Sequence, residues 1–150
     1  MNKKFIKEKN DKNVFYFRNE KLVNCLSKKD IAFLNKFNKS RICTHASKNS
    51  DLHEMFIFHK KGTLVKAHKH NVDESFLLLK GKVELILYDE KGKKKKSKII
   101  NSIFNKKNNL DFYFRINKGT YHSQFFLEDT YFKESTLGPF NKNKTKYANW

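Results

Sequence analysis

The pattern of hydrophobic and polar positions changes part-way along the chain. Between residues 27 and 37, apolar side chains recur at helical spacing, and Ser27 stands where it can cap the first turn. From Arg41 onward, apolar and polar residues alternate in short runs, which is typical of strands with one buried face. The pattern predicts a small N-terminal helical element followed by an all-β unit.

Nine short strands are predicted in this second part, separated by turns rich in glycine, lysine and asparagine. They cover residues 41–45, 55–58, 63–70, 74–79, 83–88, 98–104, 111–116, 122–127 and 130–135. An aromatic run at residues 14–18 is predicted to pair at a sheet edge, in the same subunit or in a partner. Many short strands without intervening helices indicate an antiparallel sandwich or barrel.

The length of the chain fits a single domain. With 150 residues, 38% of them apolar, it can bury one modest hydrophobic core. We expect residues 1–40 to form a strand and helix extension that packs on a barrel formed by residues 41–150. Neither a secretory signal nor a membrane span is visible, and two cysteines, Cys25 and Cys43, make no disulfide framework. We therefore expect a cytoplasmic protein whose free cysteines behave as small buried hydrophobic residues.

The net charge of +18 raises the question of a nucleic-acid partner. Arginine is nearly absent, and the lysines are spread along the whole chain. The one dense cluster, residues 93–96, is expected at the tip of a hairpin and has no interleaved aromatic residues. The composition therefore predicts no specific nucleic-acid partner and no membrane association. It favours a small anionic substrate, which the positive charge would attract.

The strongest chemical signal lies between Gly62 and Gly81. His68 and His70 are two residues apart, so both rings project from the same face of a strand. Glu74 follows after a short polar segment and opens the next apolar run. Two imidazoles and a carboxylate suit one divalent transition metal, such as Zn, Fe, Mn or Ni. The spacing predicts a metal site at the start of adjacent strands.

The spacing G-x5-H-x-H-x3-E-x6-G in this stretch resembles the first motif of the cupin superfamily at every fixed position. Residues 117–122, Asn-Lys-Gly-Thr-Tyr-His, are similar to the second cupin motif, although Asn117 stands where that motif has proline. The resemblance implies a cupin-type jelly-roll β-barrel with a fourth metal ligand on a later strand. The metal ligands it implies are His68, His70, Glu74 and His122.

A closer resemblance lies outside these motifs. Residues 41–45 (Arg-Ile-Cys-Thr-His), 53–55 and 134–140, together with Trp150, look like the corresponding parts of the WbuC family of cupin-fold metalloproteins. The resemblance implies a role in O-antigen or other surface-polysaccharide biosynthesis. The reaction of that family is not settled, so the resemblance implies a fold and a metal site more than a chemistry.

Further polar residues could belong to the site because of their chemistry or strand parity. Arg41 could hold a carboxylate or phosphate, and His45 lies on the same strand face, but a structural role is also open for each. Lys66 shares parity with His68 and His70. The candidate substrate-binding residues are Arg41, His45, Lys66 and Arg115. The candidate catalytic residues are Tyr113, His53 and Glu134.

The candidate residues lead to one preferred function and two alternatives. Four protein ligands on a six-coordinate ion leave two positions for a substrate. This predicts a metal-dependent enzyme that isomerises or epimerises a small anionic metabolite, such as a nucleotide-linked sugar. An Fe(II)-dependent dioxygenase and a non-enzymatic sugar- or metabolite-binding module are the alternatives.

The aromatic N-terminal strand also predicts a homodimer. His59 lies beside a turn and is expected to be solvated.

Overall fold

The computed structural model describes residues 4–5, 39–105, 110–139 and 141–150, which contain β-strands and no α-helix. The strands are β1 (Lys4–Phe5), β2 (Lys39–Cys43), β3 (Leu52–His59), β4 (Leu64–His70), β5 (Glu74–Lys80), β6 (Lys82–Tyr88), β7 (Lys94–Asn101), β8 (Tyr113–Ile116), β9 (His122–Phe126), β10 (Thr130–Leu137) and β11 (Thr145–Tyr147), with a 3-10 turn at Lys142–Lys144. The predicted all-β architecture is confirmed. The predicted helix at residues 27–37 and the predicted strand at residues 14–18 lie outside the described residues, so an extension formed by residues 1–40 stays a prediction.

The strands form two sheets that face each other. One sheet has the order β1-β2-β3-β10-β5-β8, and the other has the order β11-β4-β9-β6-β7. Every pairing is antiparallel except the parallel pair of β1 with β2. Strands distant in sequence, such as β3 and β10 or β4 and β9, are neighbours, as in jelly rolls.

The core lies between the sheets because alternate residues of each strand point inward. Phe126, Leu78 and Val83 are among its fully buried side chains. Cys43 is also fully buried there, as predicted, whereas Cys25 lies outside the described residues. Strand β5 changes from polar to apolar along its inward face, from Glu74 to Phe76 and Leu78. This change places polar groups at one end of a hydrophobic interior.

The nine strands predicted from residue 41 onward are all present, with boundaries shifted by a few residues, but two differences matter. The lysine cluster is not confined to a hairpin tip, because β7 begins at Lys94 and carries the lysines along an exposed edge strand. Charged edge residues oppose pairing with a second sheet. Strand β11 was not predicted, because its three residues show no apolar alternation. In the described part of the chain, no helix is long and apolar enough to cross a membrane.

Candidate metal centre

The four predicted ligands converge inside the sandwich. Strand β4 ends with His68 and His70, and residues 71–73 cross to the other sheet, where Glu74 opens β5. His122 opens β9 and pairs directly with His68. One possible ligand atom from each of the four residues lies within 4.8 Å of the others. The cluster could therefore hold one metal ion.

Each imidazole is oriented by a hydrogen bond at Nδ1. His68 Nδ1 donates to the carbonyl oxygen of Lys66 at 2.7 Å, and His122 Nδ1 donates to the carbonyl oxygen of Thr120 at 3.0 Å. His70 Nδ1 lies 3.0 Å from the hydroxyl oxygen of Thr145. A ring that donates from Nδ1 keeps the Nε2 lone pair available for a metal. The hydrogen bonds to carbonyl oxygens therefore favour, for His68 and His122, the tautomer that a metal site needs.

The carboxylate of Glu74 shows that the residues fit a metal. Its Oε1 atom lies 3.0 Å from Nε2 of His122, and its Oε2 atom lies 3.6 Å from Nε2 of His70. Neither Glu74 Oε1 nor His122 Nε2 has a hydrogen-bond partner among the described residues, although both atoms are buried. A buried carboxylate without donors is costly, and a cation offsets that cost. Three imidazoles and one carboxylate suit a divalent transition metal.

The surroundings keep two of the imidazoles neutral. Burial, with the nearby His122, lowers the pKa of His68 to about 4. Burial also lowers the pKa of His70, although the charge of Glu74 acts in the opposite direction. Neutral imidazole is the form that binds metals, so these two rings can bind without losing a proton first at neutral pH.

A cavity of about 510 Å³ opens beside the four ligands. Its size falls within the range of small-molecule sites, about 300–1,000 Å³. The apolar part of the wall includes Met55, Ile57, Val65, Phe76 and Phe132. The polar part includes Arg41, His53, His59, Gln124, Glu134 and Lys144. The cavity is thus mostly apolar, with a few polar groups that could orient a ligand.

Three of the predicted catalytic and substrate-binding residues line this cavity, namely Arg41, His53 and Glu134. Burial and the charge of Glu74 raise the pKa of Glu134 to about 7, although the positive charge of Arg41 acts in the opposite direction. His45 is buried beside the cavity and not on its wall. Its ring stacks on that of His53 with the centroids 4.0 Å apart, which gives His45 a structural role.

The structure does not place Lys66, Tyr113 or Arg115 at the site, and the strand geometry explains why. Lys66 is exposed because the pairing of β4 with β9 is irregular between Val65 and His68, which shifts the alternation of side chains. Tyr113 and Arg115 do share one face of β8. That face is the outer one, because their pairing partners on β5 alternate with the inward residues Phe76 and Glu74.

The expectation that His59 is solvated is wrong. Strand β3 continues through His59, which therefore shares the inward parity of Met55 and Ile57. Its buried ring stacks on Phe126 with the centroids 4.2 Å apart, and it lines the cavity. Gln124 was also missed, although it shares a strand face with His122 and its parity could have identified it.

Comparisons with solved structures agree with the two-sheet fold. A cupin superfamily protein from Desulfitobacterium hafniense superposes with a TM-score of 0.52 at 11% identity, covering 66% of this chain and 76% of that chain. Oxalate oxidase in complex with the substrate analogue glycolate superposes with a TM-score of 0.56 at 14% identity, covering 75% of this chain and 56% of that chain. Oxalate decarboxylase from Bacillus subtilis at pH 4.6 superposes with a TM-score of 0.53 at 21% identity, covering 66% of this chain and 24% of that chain.

The chain has a cupin fold. The superpositions show this fold, and at identities of 11–21% they do not show a shared activity. The chain spans only 24% of the Bacillus subtilis oxalate decarboxylase chain. A family model described as a domain of unknown function (DUF6016) matches residues 30–100. No curated protein matches the sequence. The resemblance to the WbuC family is not confirmed by these comparisons and stays a prediction.

The C-terminal strand adds to the metal centre of this cupin fold. Strand β11 pairs with β4 along the segment that carries His68 and His70. Besides the contact of Thr145 with His70, the ring of Tyr147 lies 5.8 Å from that of His68, centroid to centroid. Residues that support metal ligands in this way commonly change metal affinity when they are replaced.

We expect Thr145→Val to weaken metal binding about tenfold, because it removes the hydrogen bond that orients His70 and preserves the side-chain shape. Competition with a chelator of known zinc affinity measures the change. Thr145→Ser keeps the hydroxyl and should bind zinc as the native chain does. Native affinity in Thr145→Val would contradict the role assigned to Thr145.

We expect the metal-free protein to lose stability as the pH falls from about 6.5 to about 4. In this range the unfolded chain takes up a proton at His68, whose ordinary pKa is 6.5, but the folded chain does not. The loss should be smaller in His68→Asn, which cannot take up that proton. Thermal unfolding of both proteins at about pH 7 and about pH 5 tests this. An equal loss of stability in the two proteins would show that His68 does not contribute to the pH dependence.

Proposed function

We propose that this protein is a metal-dependent enzyme of the cupin fold that acts on a small anionic metabolite. The observation that carries the proposal is the convergence of three imidazoles and one carboxylate, within 4.8 Å of one another, beside a cavity of about 510 Å³. Arg41 and Lys144 supply positive charge on the cavity wall, which supports an anionic ligand.

The chemistry supported best is isomerisation or epimerisation. A divalent ion held by the four ligands would polarise a carbonyl or enolate oxygen of the substrate. Glu134 has a pKa near neutrality, so it can both accept and donate a proton at its carboxyl group. His53 is a second candidate, because its ring also lines the cavity. The apolar walls would exclude water from the reacting groups.

The substrate and its pathway are proposed on weaker grounds. Oxalate oxidase and oxalate decarboxylase are named for a small dicarboxylate, and one of them was solved with glycolate. These names support a small anion as ligand. The resemblance to the WbuC family supports a nucleotide-linked sugar in surface-polysaccharide biosynthesis, in the cytoplasm.

An Fe(II)-dependent dioxygenase is the second candidate. It is favoured by a donor set that suits iron and by the redox activity named for oxalate oxidase.

We expect His68→Ala and His122→Ala each to reduce metal content sharply, because each removes one of four ligand atoms from the cluster. Elemental analysis of protein purified without a metal-binding affinity tag measures this. His59→Asn is the control, because His59 lines the same cavity but lies outside the cluster. Full metal content in the His68→Ala/His70→Ala double variant would overturn the proposed function.

The same preparations distinguish the candidate activities. Turnover of a nucleotide-linked keto-sugar only in the metal-loaded protein would support the isomerase or epimerase. Consumption of O₂ only with Fe(II) would support the dioxygenase. Saturable ligand binding without product would support the third alternative, a binding module.

We also propose a homodimer formed through the N-terminal segment. The support is the aromatic run at residues 14–18, whose composition suits an intersubunit strand. Removal of residues 1–20 should then convert the dimer to a monomer in sedimentation measurements. A dimer that persists after the removal would exclude this interface.

A further inference from the structure

The cavity continues past the four ligands into a second layer of polar side chains. Gln124 lies two residues beyond His122 on β9, and Glu134 lies two residues before Thr136, the pairing partner of Glu74. Two residues along a strand advance about 7 Å. Both side chains line the cavity, and they come from opposite sheets. They therefore face the same space, displaced from the metal centre by two residues along their strands.

Gln124 is the observation that points to a ligand. Its residue is only 5% exposed, yet its amide makes no hydrogen bond within the part of the chain that the structure describes. An amide offers two donors and an acceptor, and an amide on a cavity wall can give them to a ligand. Unpaired polar groups of this kind in a cavity are typical of ligand sites. Gln124 thus has the position and the free hydrogen-bonding capacity of a ligand contact.

The charges of this layer indicate which ligand group it suits. Glu134 lines the same layer, and the positive charge of Arg41 acts on its carboxyl group. One guanidinium, one carboxyl group and one amide together can both donate and accept hydrogen bonds. Hydroxyl groups need both kinds of partner. When the carboxyl group of Glu134 is ionised, its charge offsets that of Arg41, which leaves the layer little net charge to hold a second anionic group. The layer therefore favours neutral hydroxyl groups.

The wall around the second layer is apolar. Met55 and Phe76 flank Glu134 on the neighbouring strands, and Val65 pairs with Gln124. All three line the cavity. Side chains of this kind suit the carbon atoms of a ligand, with polar groups at its two ends.

We propose that Gln124, Glu134 and Arg41 form a second subsite, which binds the hydroxyl-bearing end of a short hydroxy acid. The carboxylate end of that acid lies at the cluster of His68, His70, Glu74 and His122. The subsite deepens the proposed function and rests on it, because the carboxylate end needs the metal.

The test compares two acids that share a carboxylate and an α-hydroxyl group. Glycolate has no further group, whereas D-erythronate carries additional hydroxyl groups that could reach the second layer. We expect calorimetry with zinc-loaded protein to show about tenfold tighter binding of erythronate, the effect of about one well-formed hydrogen bond. Gln124→Leu should remove this preference and leave the affinities for zinc and glycolate unchanged.

Two further variants control the test. Ile57→Val alters the apolar wall of the cavity without removing a hydrogen bond, so it should keep the preference for erythronate. Gln124→Met preserves side-chain length and replaces Gln124→Leu if that variant does not fold. Loss of the preference in Gln124→Met would support the subsite in the same way.

The outcomes separate this inference from the proposed function. Failure of the native chain to take up any of zinc, iron, manganese and nickel would overturn the proposed function and the subsite with it. Zinc uptake with equal affinity for the two acids, or with binding of neither acid, would overturn the subsite. A preference for erythronate that persists in Gln124→Leu would also overturn it.

Discussion

The buried carboxylate of Glu74 is the constraint on which the site depends. It lies among imidazoles at the start of β5, and its Oε1 atom has no hydrogen-bond donor within the described residues. Such a group is tolerated only where nearby positive charge or a cation offsets its desolvation. The two segments that carry the ligands are accordingly held together. Asp73 Oδ1 accepts the backbone N–H of Lys118 at 2.8 Å, and the N–H of Gly119 donates to the carbonyl oxygen of His70 at 2.7 Å.

The C-terminal residues extend this support across the sandwich. The N–H of Asn71 donates to the carbonyl oxygen of Lys144 at 3.0 Å, next to the hydroxyl that contacts His70. Trp150 packs against Tyr88 and Tyr121, and a Cβ at Gly92 would meet its ring at 2.5 Å. The end of the chain is thus tied to the β6–β7 hairpin. A segment without an apolar pattern therefore contributes to the metal centre through its contacts.

The sequence predicts the four ligands because their placement depends on local geometry. The parity of His68 and His70 survives in the structure, and a short polar segment returns the chain to Glu74. The same parity argument is wrong for Lys66, because the pairing of β4 with β9 is irregular between Val65 and His68. This irregularity arises from the pairing of the two strands and is not visible in the local pattern. For β8, alternation shows which residues share a face, but only the pairing with β5 decides which face is inward. Tertiary pairing, which local pattern does not encode, determines these positions.

Selection of the proposed anionic ligand would depend on charges inside the cavity more than on the net charge of +18. Most of the lysines of β7 are exposed, and at physiological ionic strength their field decays over about 8 Å. Charges on the cavity wall are screened less, because protein replaces much of the solvent around them. There, Arg41 faces Glu134, and Lys144 Nζ donates to the carbonyl oxygen of Gly138 at 3.1 Å. The lysine-rich surface can raise the rate of encounter with an anion, but discrimination between anions must come from the cavity.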